Sequence, residues 1–145
     1  MNNTRFVLQK MATVISTQGL HTGSQFAVHG PMDKLDICAA AFIVAEDRPA
    51  PPEFFTDEIV SIAVIEASPR AMAAIRTISD VLDSDVCETE VEPGLYVPDY
   101  IEHVSNWAAT APIGEKTPPT TAEVVGRILR AANHAAQHAT PPSAA

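Results

Sequence analysis

Apolar side chains recur every three or four residues through most of this chain, which is the spacing of one face of an α-helix. The clearest run is Ala71, Ile75, Ile78 and Leu82, where the apolar positions are separated by four, three and four residues. The same pattern predicts helices over about residues 4–17, 33–45, 53–67, 69–82, 99–110 and 121–137. Within the third of these, residues 59–65 are mostly β-branched, so a buried strand there stays open as an alternative to a helix.

Local signals mark the ends of several predicted helices. Ser68 followed by Pro69 predicts a helix start, because serine caps free amide groups and proline fits the first helical turn. Thr120 and Glu123 form a capping box in front of the last helix. Gly19 suits the left-handed conformation that ends the first helix.

Glycine and proline interrupt the chain between the helices. Residues 19–32 are expected to form a loop with at most one brief extended stretch, and residues 83–98 an acidic loop. Residues 48–52 and 112–119 are proline-rich connections. The sum is an all-α single compact domain of five or six helices over residues 1–137, followed by a disordered tail at residues 138–145.

Composition and charge argue against several classes of function. The chain has 145 residues, of which 46% are hydrophobic and 19% charged, as in globular proteins. Its net charge of −9 argues against binding to nucleic acid or to an anionic membrane. Two cysteines exclude a disulfide scaffold and an all-cysteine zinc site. With neither a secretory signal nor an apolar run of membrane-spanning length, we expect a soluble cytoplasmic protein.

Several short motifs follow one another in a recognisable order. The first helix ends in Gly19-Leu20, a later helix carries Cys38-Ala39, and Asn106-Trp107 precedes the last helix start at residues 120–124. In this order the chain resembles a family of small uncharacterised proteins from actinobacteria and their phages, known only as a domain of unknown function. That family has an acidic residue after an Asn that follows the Trp, and a shorter spacer, whereas here Asn106 comes first. The resemblance covers about residues 5–136 and implies a fold but no activity.

Few residues suggest chemistry, and no nucleotide-binding or hydrolase motif is present. A pocket beneath residues 19–31 is one option, because a loop folded over the second helix would bring His21, His29, Asp33 and Cys38 together. Two imidazoles and a carboxylate are metal-ligand types, but their spacing matches no ligand motif, so no metal or cofactor is predicted. On the apolar side of a helix, Cys38 is most simply a core thiol.

The acidic charge is concentrated in one segment. Residues 77–114 contain eight acids and no Lys or Arg, which accounts for −8 of the net −9. This segment predicts either a solvated face or a docking face for a basic partner, with Asp83, Asp85 and Glu88 as the binding residues. Phe54-Phe55 adds a candidate docking or dimer patch, because adjacent aromatics at a helix start cannot both face the same way and one of them is expected to be exposed.

Two functions follow from these observations. We expect a small helical accessory or regulatory protein that acts by binding another protein, with a homodimer as one form of that binding and no nucleic acid or membrane as partner. The alternative is an enzyme or a ligand- or metal-binding protein whose pocket lies under residues 19–31.

Overall fold

The computed structural model describes residues 4–138, which form six α-helices and two small antiparallel sheets of two strands each. The expectation of a mostly helical fold is confirmed, whereas the all-α class is wrong because of the two sheets. Most of the predicted disordered tail lies outside the described residues. The elements are α1 Thr4–Gln18, β1 Ala27–Val28, β2 Lys34–Leu35, α2 Ile37–Glu46, a 3₁₀ turn Pro52–Phe55, α3 Glu58–Glu66, α4 Pro69–Asp80, β3 Glu88–Glu92, β4 Leu95–Pro98, α5 Tyr100–Ala109 and α6 Thr121–Gln137.

The core is built around α2, which is apolar on nearly all sides. Seven of its ten residues are buried, from Ile37 to Ala45, as expected of a helix without a polar face. Helices α1, α4 and α5 pack against it, and α6 packs against α1 and α4. Within residues 4–138, no helix combines the length and the apolar character that a membrane crossing requires.

Capping side chains set the helix starts. Ser68 accepts a hydrogen bond from the Ala71 amide, and Thr120 accepts one from the Glu123 amide, so both predicted starts are confirmed. The Glu123 carboxylate of the predicted capping box accepts a hydrogen bond from the Thr120 hydroxyl at 3.3 Å. Gly19 ends α1 at φ +92°, as predicted.

Helix α2 begins four residues later than the apolar pattern predicts. Asp36 caps it, accepting from the Cys38 amide at 2.7 Å, and therefore lies outside the helix. Residues 34–35 instead pair with β1, in the register Ala27 with Leu35. The extended stretch expected in the first loop is therefore one strand of a small sheet, and its partner replaces the predicted first turn of α2.

Residues 59–65 are helical, which decides between the two alternatives left open by their β-branched side chains. Asp57 caps α3 by accepting from the Val60 amide at 3.1 Å. Ser61 and Ile65 are buried, whereas Ile59 is 81% exposed. In a buried strand, other elements would cover both faces. This segment is covered on one side only, as in a helix at the surface of the core.

Residues 88–98 form an antiparallel hairpin, so the prediction of an acidic loop over residues 83–98 is wrong for this part of the segment. Thr89 pairs with Val97 and Glu90 with Tyr96, and a bulge at Val91 shifts the register by one residue. Pro93 and Gly94 form the turn, with Gly94 at φ +80° as the second central residue of a type II turn requires. The Asp99 amide, which donates to the Cys87 carbonyl at 2.7 Å, fixes the base of the hairpin next to α5.

Candidate functional site

The hairpin is the most exposed element of the protein. Every residue from 88 to 98 is exposed, and we call this segment the hairpin arm. Each of its strands has one edge without a partner strand among the described residues. It also presents four large apolar side chains to solvent: Val91, Leu95, Tyr96 and Val97. Exposed strand edges and exposed apolar side chains are both features of protein-binding surfaces.

Only one of the three predicted acidic binding residues lies on the hairpin arm. Glu88 is its first residue, and Glu90 and Glu92 follow on the same strand. Asp83 and Asp85 lie in the preceding loop, where an Asp83 carboxylate oxygen is 3.7 Å from an Arg127 guanidinium nitrogen. The sequence signal that could have indicated this hairpin is the Pro93-Gly94 turn between β-forming residues.

Of the Phe54-Phe55 pair, Phe54 is fully buried and Phe55 is only partly buried, so a docking or dimer patch stays a prediction for Phe55 alone. The ring centroid of Phe54 is 6.1 Å from that of Phe26 and 5.4 Å from that of Phe42. Phe55 is partly buried and stacks on His29, with ring centroids 3.8 Å apart. The docking role predicted for the pair is therefore wrong for Phe54, whose side chain belongs to the core.

A cavity of about 180 Å³ does lie beneath the loop of residues 19–31, but its walls differ from those predicted. The lining includes none of the four predicted residues, His21, His29, Asp33 and Cys38. His29 instead lies at the surface, 3.4 Å from Asp33. Residues 23–26 form the loop side of this cavity, which we call the loop cavity. The opposite side carries four carboxylates: Asp36, Glu58, Asp99 and Glu102.

Asp36 is the buried acid of the loop cavity. Besides the Cys38 amide, its carboxylate faces the Ser105 hydroxyl at 3.2 Å. Burial raises its pKa to about 6, because the charged form loses hydration that its hydrogen bonds restore only in part. The Gln25 side-chain oxygen is buried at the same cavity and has no hydrogen-bond partner among residues 4–138.

Cys38 lies behind the loop cavity as a core thiol, as predicted. It is fully buried, and its sulfur is 3.3 Å from the Ser105 hydroxyl. Burial and the neighbouring Asp36 carboxylate raise the pKa of this thiol well above its usual value, which disfavours the reactive thiolate form. Among residues 4–138, no three or more His, Cys, Asp or Glu side chains are grouped so that they could hold a metal ion.

His103 and two serines form a further polar group, which the sequence pattern does not indicate. His103 on α5 is buried, and its two ring nitrogens contact the hydroxyls of Ser79 on α4 and Ser84 in the following loop. The residue pattern concealed it, because His103 lies next to Val104 on the buried side of its helix. Its partners are 19 and 24 residues away, so only the packing of α4 against α5 brings the three together.

Comparison of the chain with protein-family models, with curated proteins and with solved structures finds no match. The resemblance to the actinobacterial and phage family therefore stays a prediction from short motifs.

Proposed function

We propose that this protein is an accessory or regulatory binding protein that docks on a basic partner protein through the hairpin arm. The observation that carries this proposal is the exposure of every residue from 88 to 98, including four large apolar side chains. A two-stranded hairpin is only marginally stable by itself in water, and this one is joined to the helical body at its base. Its free edges can pair with an extended segment of a partner, with main-chain hydrogen bonds supplying affinity.

The charge of the hairpin arm indicates what kind of partner fits. Glu88, Glu90 and Glu92 give its first strand three carboxylates, and residues 77–114 include no Lys or Arg. Opposite charges across an interface accelerate association and reject wrong partners. A second copy of this chain would bring two acidic hairpins together, and nucleic acid would add phosphates, so both are disfavoured. We therefore infer a different protein that presents a basic extended segment.

The partner can be identified by photo-crosslinking from the arm itself. A photo-reactive amino acid at Tyr96, which is 55% exposed, should crosslink a protein with a basic surface in cells. The same amino acid at exposed Ile59 on α3 is the matched control, because it lies on the helical body. Equal products from both positions, crosslinking to nucleic acid, or crosslinking only to a second copy of this chain would contradict the proposal.

Charge reversal then tests the recognition with the purified partner. The double variant Glu88→Lys/Glu92→Lys should weaken binding at least about tenfold at low salt, because like charges then face each other. Glu90 is kept, since the Tyr96 hydroxyl donates to it. The control Glu66→Lys/Glu115→Lys makes the same change in net charge at exposed positions off the arm. Similar dissociation constants for the two double variants in a calorimetric titration would refute recognition by the arm.

A further inference from the structure

The His103 imidazole is held between two serine hydroxyls. Its Nδ1 atom is 2.6 Å from the Ser79 Oγ, and its Nε2 atom is 2.8 Å from the Ser84 Oγ. Ser79 and His103 are buried, whereas Ser84 is exposed. An accessible hydroxyl therefore contacts one nitrogen of a fixed imidazole whose other nitrogen is held by an inner hydroxyl. This is the relation of nucleophile, base and orienting group in hydrolytic sites.

The surroundings of the imidazole keep it neutral. Burial lowers the pKa of His103. This effect is larger than those of a hydrogen bond to the Ser84 backbone and of the nearby Asp85 carboxylate, both of which raise the pKa. A neutral imidazole has one nitrogen that accepts a proton. Both contacts fit either tautomer of the ring. In the tautomer with the proton on Nδ1, this N–H donates to the Ser79 hydroxyl, and the Nε2 lone pair faces the Ser84 hydroxyl and can accept its proton.

A large cavity opens beside this group. It has a volume of about 740 Å³ and is lined by both Ser84 and His103. Its apolar walls include Trp107, Ile113 and Pro112. Three acids and two arginines also line it, so the charges nearly balance and a neutral ligand is favoured.

Two further residues of the cavity wall, Asn106 and Gly126, are suited to the binding of a carbonyl compound. Asn106 lies one helical turn after His103, and its Oδ1 accepts from the Thr110 hydroxyl at 3.1 Å, which leaves its amide hydrogens for another acceptor. Gly126 lies within α6, where glycine is unfavourable, and a side-chain carbon there would meet no atom within 4 Å. Packing within the protein does not require this glycine, but a side chain would extend into the cavity.

We propose that Ser84 and His103 form an acyl-transfer site for neutral carboxylic esters, with Ser79 as a positioning residue and Asn106 as a donor to the developing oxyanion. Ser84 Oγ forms a bond to the ester carbonyl carbon as its proton passes to His103 Nε2. The bond to the alkoxide leaving group breaks, and that group takes the proton from Nε2. Water then attacks the acyl-serine with the same base, which releases the carboxylic acid and restores Ser84.

Covalent labelling of the intact protein tests the nucleophile. An alkyl fluorophosphonate should phosphonylate Ser84, identified by peptide mapping, and p-nitrophenyl butyrate should be hydrolysed. Ser84→Ala should abolish both reactions without unfolding the protein, because the side chain is exposed. Ser16→Ala, at an exposed serine of α1, should retain both. Absence of a label on Ser84, or equal hydrolysis by the two variants, would overturn the proposal and leave the serines as structural partners of His103.

The roles of the other two residues have their own readouts. His103→Gln should slow labelling of Ser84 at least about a hundredfold, the usual contribution of a positioned base. Ser79→Ala should remove an acceptor that stabilises the protonated imidazole, so the acidic limb of the pH–rate profile should move to lower pH. A Ser79→Ala profile with the midpoint of the wild type would contradict the positioning role, and unchanged labelling in His103→Gln would contradict the base.

Discussion

Phe54→Ala is expected to lower the free energy of unfolding by about 3–5 kcal/mol, the usual cost of truncating a buried phenylalanine. The Phe54 ring is fully buried against Phe26 and Phe42, and its backbone carbonyl accepts a hydrogen bond from the Phe26 amide at 3.0 Å. Removing the ring leaves a void between the 3₁₀ turn, the first loop and α2. Because small domains are stable by only about 5–15 kcal/mol, this is a large fraction of the total.

Urea unfolding followed by circular dichroism measures this loss, and the adjacent aromatic supplies the control. Phe55 is only partly buried and stacks on surface His29, so Phe55→Ala should cost clearly less than Phe54→Ala. The hairpin-arm variant Glu88→Lys/Glu92→Lys should unfold near the wild-type midpoint, because its side chains are exposed. Equal losses for the two phenylalanine variants would contradict the assignment of Phe54 to the core.

Asp36→Asn is expected to stabilise the protein by about 2–3 kcal/mol near pH 7.5, an unusual gain for a buried polar residue. The pKa of Asp36 is about 6 in the folded state, against an ordinary value of 3.8. The folded state therefore binds the Asp36 proton more tightly than the unfolded state does. The stability that this proton contributes is fully present below about pH 3.8 and is lost as the pH rises through 6. Asparagine retains the acceptor for the Cys38 amide without the buried charge.

Unfolding free energies of the Asp36→Asn variant and the wild type, compared from pH 5 to pH 8, check this prediction. The difference should grow as the pH rises and level off above about pH 7, because other acids contribute equally to both proteins. Asp57→Asn changes an exposed cap of α3 and should leave stability within about 0.5 kcal/mol of the wild type. A gain from Asp36→Asn that does not depend on pH would contradict a buried charge at this position.

Local signals in the sequence were sufficient to predict where several of the helices begin or end. The starts of α4 and α6 are set by Ser68 and Thr120, each of which bonds an amide three residues further on. The end of α1 at Gly19 likewise depends on one residue's backbone conformation. Each of these interactions lies within one helical turn, so residue identity and spacing are enough to predict it.

Predictions failed where two distant segments compete for the same residues. Residues 34–35 suited the first turn of α2, but pairing with β1 removed them from it. Pro93, Gly94 and Pro98 favour a loop over residues 88–98, but cross-strand pairing makes these residues a hairpin. Phe54 and Phe55 have the same side chain, and only the packing of the 3₁₀ turn against α2 decided which one is buried.

A mostly helical domain with an acidic segment over residues 77–114 could be predicted from the amino-acid sequence, because periodicity, caps and charge are properties of local sequence. Tertiary structure alone decided the sites. It buried Asp36 beneath the first loop and placed His103 between Ser79 and Ser84. Burial, pKa and hydrogen-bond partners could not be predicted because they depend on which helices pack together, and those contacts join residues far apart in the chain.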